Sequence, residues 1–383
     1  MPEDNKDFNE GLEDVVAGMS SICDVNGKEG KLIYSGYDIH DLAENATFEE
    51  VIYLLWNRKL PNAAELAGIK ADLDANRAIP DAAMKVLRDF PKTAAPMDAL
   101  RSATSILGMY DPDQGNETIE ANQRKALRLT AQTGTLVAAL DRLRKGEEPI
   151  APKPGLSTAG NFLYMLSGKE PDATATRALD VALILHADHE LNASTFAARV
   201  TVATLTDMYS AITSAVGTLA GPLHGGANVN VMHLLEKIGT PDKAEEIVSQ
   251  MLASGQKIPG IGHRVYRALD PRAVSLRQMS QQLAETSGQP QWFEISERVQ
   301  EAADKALIAK GKTTLKANVD FFSASVYHVI GIPTDLFTPV FAISRIAGWT
   351  AHVLEQLSNN RLIRPRAIYT GPRDLKVAPI DQR

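Results

Sequence analysis

Chemistry in this chain concentrates at a few side chains set beside breaks in the helical pattern. In Gly221-Pro222-Leu223-His224-Gly225-Gly226-Ala227-Asn228, a histidine stands just before the apolar, helix-like run 229–235. The positive end of a helix dipole lowers an imidazole pKa and favours a neutral ring that donates a hydrogen bond to a carbonyl. The glycines beside it let a ligand approach the backbone. A second histidine closes Lys257-Ile258-Pro259-Gly260-Ile261-Gly262-His263, with Arg264, Arg267 and then Asp270-Pro271-Arg272 following. The Gly-x-Gly there lacks the third glycine and the preceding strand of a dinucleotide fingerprint. Exposed backbone N–H and C=O groups in that loop suit a nucleotide base instead, and Lys257, Arg264 and Arg267 suit phosphates. In Asn318-Val319-Asp320-Phe321-Phe322 a carboxylate adjoins two aromatic rings, where partial desolvation raises its pKa and makes it a better base.

Arg345 lies in a mostly apolar helix, Ala342 to Trp349, where a charge needs something to pair with it. Arg361, Arg364 and Arg366 crowd one short stretch, and forked guanidiniums in such numbers suit a polyanionic ligand. His186-Ala187-Asp188-His189-Glu190 also reads as a metal pattern, but the surrounding helix is apolar and no third histidine lies nearby in sequence. His40, His233, His328 and His352 have no local partner pattern and read as structural or surface residues. Each segment alone has a structural reading too: a loop histidine beside a turn, a Pro-Gly turn with a solvated basic face, a helix cap, a buried ion pair.

The elements that must position these groups are helices. Thr47 with Glu50 forms a capping box ahead of a face bearing Phe48, Ile52 and Leu55, ended by Leu60-Pro61. Asn62 with Glu65 repeats the start signal, and Pro80-Asp81 and Pro91 punctuate the later helices. The strand candidates are Ser21 to Val25 and Lys31 to Tyr34, flanking the turn dipeptide Asn26-Gly27. Between Asp180 and Leu219 nearly every residue off the charged positions is small or apolar, with Ala203, Ala211, Ser214 and Ala215 allowing close backbone approach, as in a buried core or a subunit interface. The expected class is all-α with a small N-terminal β-hairpin.

At 383 residues the chain exceeds a single core of roughly 250–300 residues, so two domains are expected. Apolar residues at 44% and charged residues at 23% are ordinary for a soluble enzyme. A net charge of −7 disfavours a nucleic-acid partner, and the lack of a long apolar run disfavours a membrane one. The lone Cys23 and the acidic start Met1 to Asp7, which lacks the features of an export signal, point to the cytoplasm.

Taken in order, the His-Gly-Gly-Ala, Gly-x-Gly-His with Asp-Pro-Arg, Asn-Val-Asp, Ser-Arg and Arg-Pro-Arg segments resemble the citrate synthase family from about residue 10 to the C-terminus. The resemblance implies a homodimer, higher assembly left open, with a large helical domain of residues 1–221 plus 323–383. A small domain, 222–322, would close over substrate. It implies that acetyl-CoA condenses with oxaloacetate. His224 would hold the thioester carbonyl, Asp320 would remove a methyl proton, and His263 would polarise the ketone. His189, Arg272, Arg345 and Arg364 would hold carboxylates, Arg364 reaching the partner subunit's site. Ile258, Pro259, Gly260, Ile261 and Gly262 would recognise the CoA adenine, with Lys257, Arg264, Arg267, Lys312 and Arg366 as candidates for its phosphates. No metal, no bound cofactor and no allosteric inhibition by NADH are implied. Three rivals share the motifs: 2-methylcitrate synthase using propionyl-CoA, a citryl-CoA lyase working in reverse, and a non-catalytic CoA- or citrate-binding homologue.

Overall fold

Both capping boxes form. In the first, the Thr47 and Glu50 side chains each accept the other residue's backbone N–H and start the helix Phe48–Asn57. Phe48, Ile52 and Leu55 are fully buried on its inner face, each contributing about 1.5–3 kcal/mol of apolar burial. Arg58, in the left-handed region, ends this helix ahead of Leu60-Pro61. Asn62 and Glu65 cap Ala63–Ala75 in the same way.

The computed structural model describes residues 8–383, so the acidic stretch 1–7 lies outside the described residues. Sixteen α-helices occur among those residues, and the only named sheet is small and antiparallel. The fold is therefore all-α, as expected. Strands β1 (Cys23–Asn26) and β2 (Lys31–Tyr34) pair in the register Cys23 to Tyr34, joined by a turn of Gly27 to Gly30. A short third strand, β3 (Tyr37–Asp38), pairs with β2. Its two residues carry no alternation to read in sequence.

The long helices Ile119–Lys145 and Phe337–Ser358 pack against each other at the centre, with Pro96–Met109, Ala193–Val202 and Met208–Leu219 around them. Ala203, Ala211 and Ala215 are buried, which is the close approach their size allows. A second group lies between Met208–Leu219 and Phe337–Ser358 in the chain: Ala227–Ile238, Ala244–Ala253, Pro271–Thr286, Gln291–Ala309 and Val319–Val329 pack on one another. Pro271–Thr286 also packs on Ala173–His186 and Ile39–Asn45, which brings the loop ahead of it against the first group. No helix among the described residues is long and apolar enough to cross a membrane.

Candidate active site

His224 lies in the turn that precedes the helix Ala227–Ile238, as the sequence predicts. Its Nε2 accepts the backbone N–H of Ser194 at 3.3 Å and lies 2.7 Å from Ser194 Oγ. A backbone N–H can only donate, so Nε2 carries the lone pair and the proton sits on Nδ1. Ser194 Oγ is itself held by Trp349 Nε1 at 3.1 Å and Asn192 Oδ1 at 2.8 Å. The imidazole pKa falls to about 4, first through burial and then through the Arg345 guanidinium. The neutral ring is as expected, and burial is its largest cause.

His263 is fixed in the complementary way. Its Nδ1 accepts the backbone N–H groups of Val265 at 3.0 Å and Tyr266 at 3.2 Å, which leaves the proton on Nε2. Burial, and after it Arg272, lowers its pKa to about 4. Two opposite tautomers are thus set by backbone alone, and among the described residues each neutral ring keeps one N–H free to donate.

Asp320 stands in the first turn of Val319–Val329, where Asn318, not the aspartate, is the cap: Asn318 Oδ1 accepts the Asp320 N–H at 3.0 Å. None of the described residues hydrogen-bonds its carboxylate, and burial raises its pKa to about 6 against the opposing pull of Arg272. Asp320 and His263 share a mount. Ile261 bridges Ala317, the Gly262 N–H donates to Lys316 O at 2.7 Å, and Asn318 Nδ2 donates to Gly262 O at 2.8 Å.

Around these groups the guanidiniums converge. Arg272 is buried and forks onto Asp270 at 2.8–2.9 Å, and Asp270 also accepts the Val319 N–H at 3.1 Å, tying two helix starts together. Arg345 is buried, donates through Nε to His186 O at 2.6 Å and lies over the Phe341 ring at 4.7 Å, yet no carboxylate of the described residues forms an ion pair with it. The structural reading of Arg345 as half of an ion pair therefore does not hold. His189 is buried with Nε2 3.2 Å from Tyr266 Oη, and its ring centroid lies 5.3 Å from that of His263. Burial and then Arg272 hold its pKa well below the usual imidazole range.

The five residues of the metal-like stretch diverge. His186 lies among Tyr327 and Phe341, Asp188 faces His352 and His189 faces Tyr266; among the described residues no metal-binding cluster forms. Arg364 is exposed on the irregular segment after Ser358 and has no side-chain hydrogen bond or ion pair with the cluster among the described residues. In the loop 258–262, part of the backbone expected to be free is already engaged: the carbonyls of Gly260 and Gly262 and the Gly262 N–H bond to residues 316–318. Ile258 is buried, and Lys257, Pro259 and Pro222 line an open cleft of about 450 Å³ beside His233 and Lys237. Lys257, Arg264, Arg267, Lys312 and Arg366 are exposed.

Sequence reading missed two supporting residues, Ser194 and Trp349. Ser194 meets His224, and Trp349 meets Ser194, only through tertiary contact. Asp270 was legible as a helix start, since Asp-Pro supplies a cap and a first-turn proline.

The chain matches the family described as "Citrate synthase, C-terminal domain" over residues 11–366. Citrate synthase 2 of Bacillus subtilis is 51% identical over 374 residues, spanning 97% of this chain and 98% of that protein. 2-Methylcitrate synthase 2 of Corynebacterium glutamicum is 40% identical over 382 residues, 98% of each. The structure of citrate synthase from Thermoplasma acidophilum, in ternary complex with carboxymethyl coenzyme A and oxaloacetate, superposes with a TM-score of 0.91 at 32% identity, covering 98% of this chain and 99% of that one. Fold and relatives together define a helical acyl-transferring enzyme. More narrowly, the chain belongs to the citrate synthase family.

Proposed function

We propose that this protein condenses acetyl-CoA with oxaloacetate and hydrolyses the resulting thioester, releasing citrate and CoA. The observation that carries the reading is a pair of neutral imidazoles with opposite tautomers and a carboxylate of raised pKa, all within the field of Arg272 or Arg345. His224 Nδ1–H donates to the thioester carbonyl while Asp320 takes a methyl proton, so neither strong acid nor strong base is needed at neutral pH. The enolate carbon attacks the ketone, and His263 Nε2–H stabilises and then protonates the alkoxide. Arg272, Arg345 and His189 hold the carboxylates. Arg364, too exposed to serve its own chain's cluster, is assigned to the site of a second copy in a homodimer. The exposed apolar side chains Leu362, Ile368, Leu375 and Val377 on the same segment favour such a partner.

The remaining assignments rest on the same reading. Residues 222–322 act as the smaller unit closing over 1–221 and 323–383, the adenine of CoA sits at 258–262, and the exposed lysines and arginines nearby meet its phosphates. The CoA thioester is a substrate, and no resident cofactor is assigned. The reading places the enzyme in the cytoplasm, consistent with its free, buried Cys23.

Wild-type protein is expected to release CoA from acetyl-CoA with a kcat/KM at least about tenfold above that for propionyl-CoA, since one methylene is worth about 1–3 kcal/mol in a pocket. The greater identity of the citrate synthase relative than of the methylcitrate synthase supports that order. A propionyl-CoA preference would move the assignment to methylcitrate formation, and no turnover with either would return it to a binding protein. Ser194→Ala is expected to lower kcat roughly tenfold with the KM for oxaloacetate unchanged, because His224 loses its orienting partner but not its tautomer. A matching rise in that KM would show that Ser194 serves the other substrate.

A further inference from the structure

The β1–β2 turn has no part in the chemistry above, yet it touches the loop that carries His263. Gly27 O accepts the backbone N–H of Arg267 at 2.8 Å. A Cβ on Gly27 would stand 2.3 Å from Val265 O and 2.8 Å from its carbonyl carbon, so the position demands glycine for space. Its φ is not in the left-handed region, and the tightness of the turn is not the reason. Gly30, at φ +66°, approaches the other end of the same loop, where a Cβ would lie 2.8 Å from Leu269 O. Asn26 Oδ1 accepts the Glu29 N–H at 3.1 Å and braces the turn between them.

The gripped segment, 264–269, has no regular structure of its own. It supplies the two N–H groups that hold His263 Nδ1 and the Tyr266 hydroxyl that meets His189. A loop that sets a tautomer and a ring direction must itself be held, and a displacement of about 1 Å at such a place costs on the order of 100-fold in rate.

We propose that the hairpin turn Asn26–Gly30 is a positioning element for His263, gripping residues 265–269 through backbone contact so that Nε2–H faces the substrate ketone. The proposal rests on the assignment of oxaloacetate to this site.

The test reads the infrared stretch of the keto carbonyl of bound oxaloacetate, alongside kcat, oxaloacetate Kd and melting midpoint, for wild type, Gly27→Ala and Gly68→Ala. Gly68 is exposed on a helix, and a Cβ there meets nothing within 4 Å. Wild type and Gly68→Ala should show a ketone band displaced from that of free oxaloacetate. Gly27→Ala should lose most of the displacement and about 100-fold in kcat, with Kd weakened less than about tenfold. A Gly27→Ala band and kcat matching wild type would overturn the proposal. Should that variant not fold, Asn26→Ala, which loosens the brace without a clash, is expected to show a partial loss of both signals, and wild-type values there would equally overturn it. Absence of a displaced band in wild type itself would overturn the assignment of oxaloacetate on which the proposal stands.

Discussion

Asp320→Asn is expected to lower kcat about 1000-fold and, at the same time, to raise the melting midpoint. Both effects come from one cause. The carboxylate has no hydrogen-bonding partner among the described residues, and burial lifts its pKa to about 6, so it is costly to ionise and correspondingly basic once ionised. The native state takes up this proton more readily than the unfolded chain, whose aspartate has its ordinary value near 3.8. The group's contribution to stability is therefore fullest below about pH 4, falls as pH rises through the window to about 6, and stays low above it. The displacement corresponds to at most roughly 3 kcal/mol. An asparagine does not titrate, so the stability difference between variant and wild type should grow between pH 4 and 6 and then level off. For wild-type kcat/KM, an acid limb near pH 6 is expected, with His224 and His263 neutral throughout because both have values near 4. Turnover against pH and thermal unfolding against pH check the two halves. A variant that keeps more than about a tenth of wild-type turnover would remove Asp320 from the role of base, and a flat stability difference would remove burial as the source of its basicity.

What the sequence made legible was local. Two capping boxes, the hairpin of residues 23–34 and the helix starts at Pro80-Asp81 and Asp270-Pro271 are written in spacings of a few residues, and all of them form. His224, His263 and Asp320 stood out because glycine and aromatic neighbours mark a backbone break or a dry carboxylate. Contacts over long separations left no such mark. His352 read as a histidine without a pattern, yet it is fully buried, accepting from Arg199 at Nδ1 at 2.9 Å and meeting Asp188 Oδ2 through Nε2 at 3.3 Å. The Ser194–His224 contact spans 30 positions and Trp349–Ser194 spans 155. Asn26-Gly27 was legible as a turn, but not the close approach at Gly27, whose missing side chain leaves room for Val265. Sequence also overstated the free backbone at 258–262, since the bonds that engage it come from residues 316–318.

Arg345→Leu is expected to raise the KM for oxaloacetate by about 100- to 1000-fold while the protein folds normally. Burying a guanidinium costs several kcal/mol unless an anion compensates. Here the compensation within the chain is partial: a carbonyl bond to His186, the face of Phe341, and the field of Asp188, whose carboxylate forms no direct pair with it. An arginine held this way gains most from an anionic ligand, which supplies the partner that the fold does not. Removing it should forfeit about 2–5 kcal/mol of ligand binding, whereas the folded protein sheds the cost of an incompletely paired charge and should lose little stability. Arg345→Lys keeps the charge but not the fork, so it should fall between the two in KM. The same variants report on His224, whose pKa is held down by burial and then by Arg345: in Arg345→Leu that pKa should move up, and in Arg345→Lys it should stay low. The decisive comparison is KM for oxaloacetate against KM for acetyl-CoA in the leucine variant. Selective loss of oxaloacetate affinity with an unchanged melting midpoint makes Arg345 a substrate anchor, while equal loss for both substrates with a lowered midpoint would make it a structural charge whose partner is Asp188.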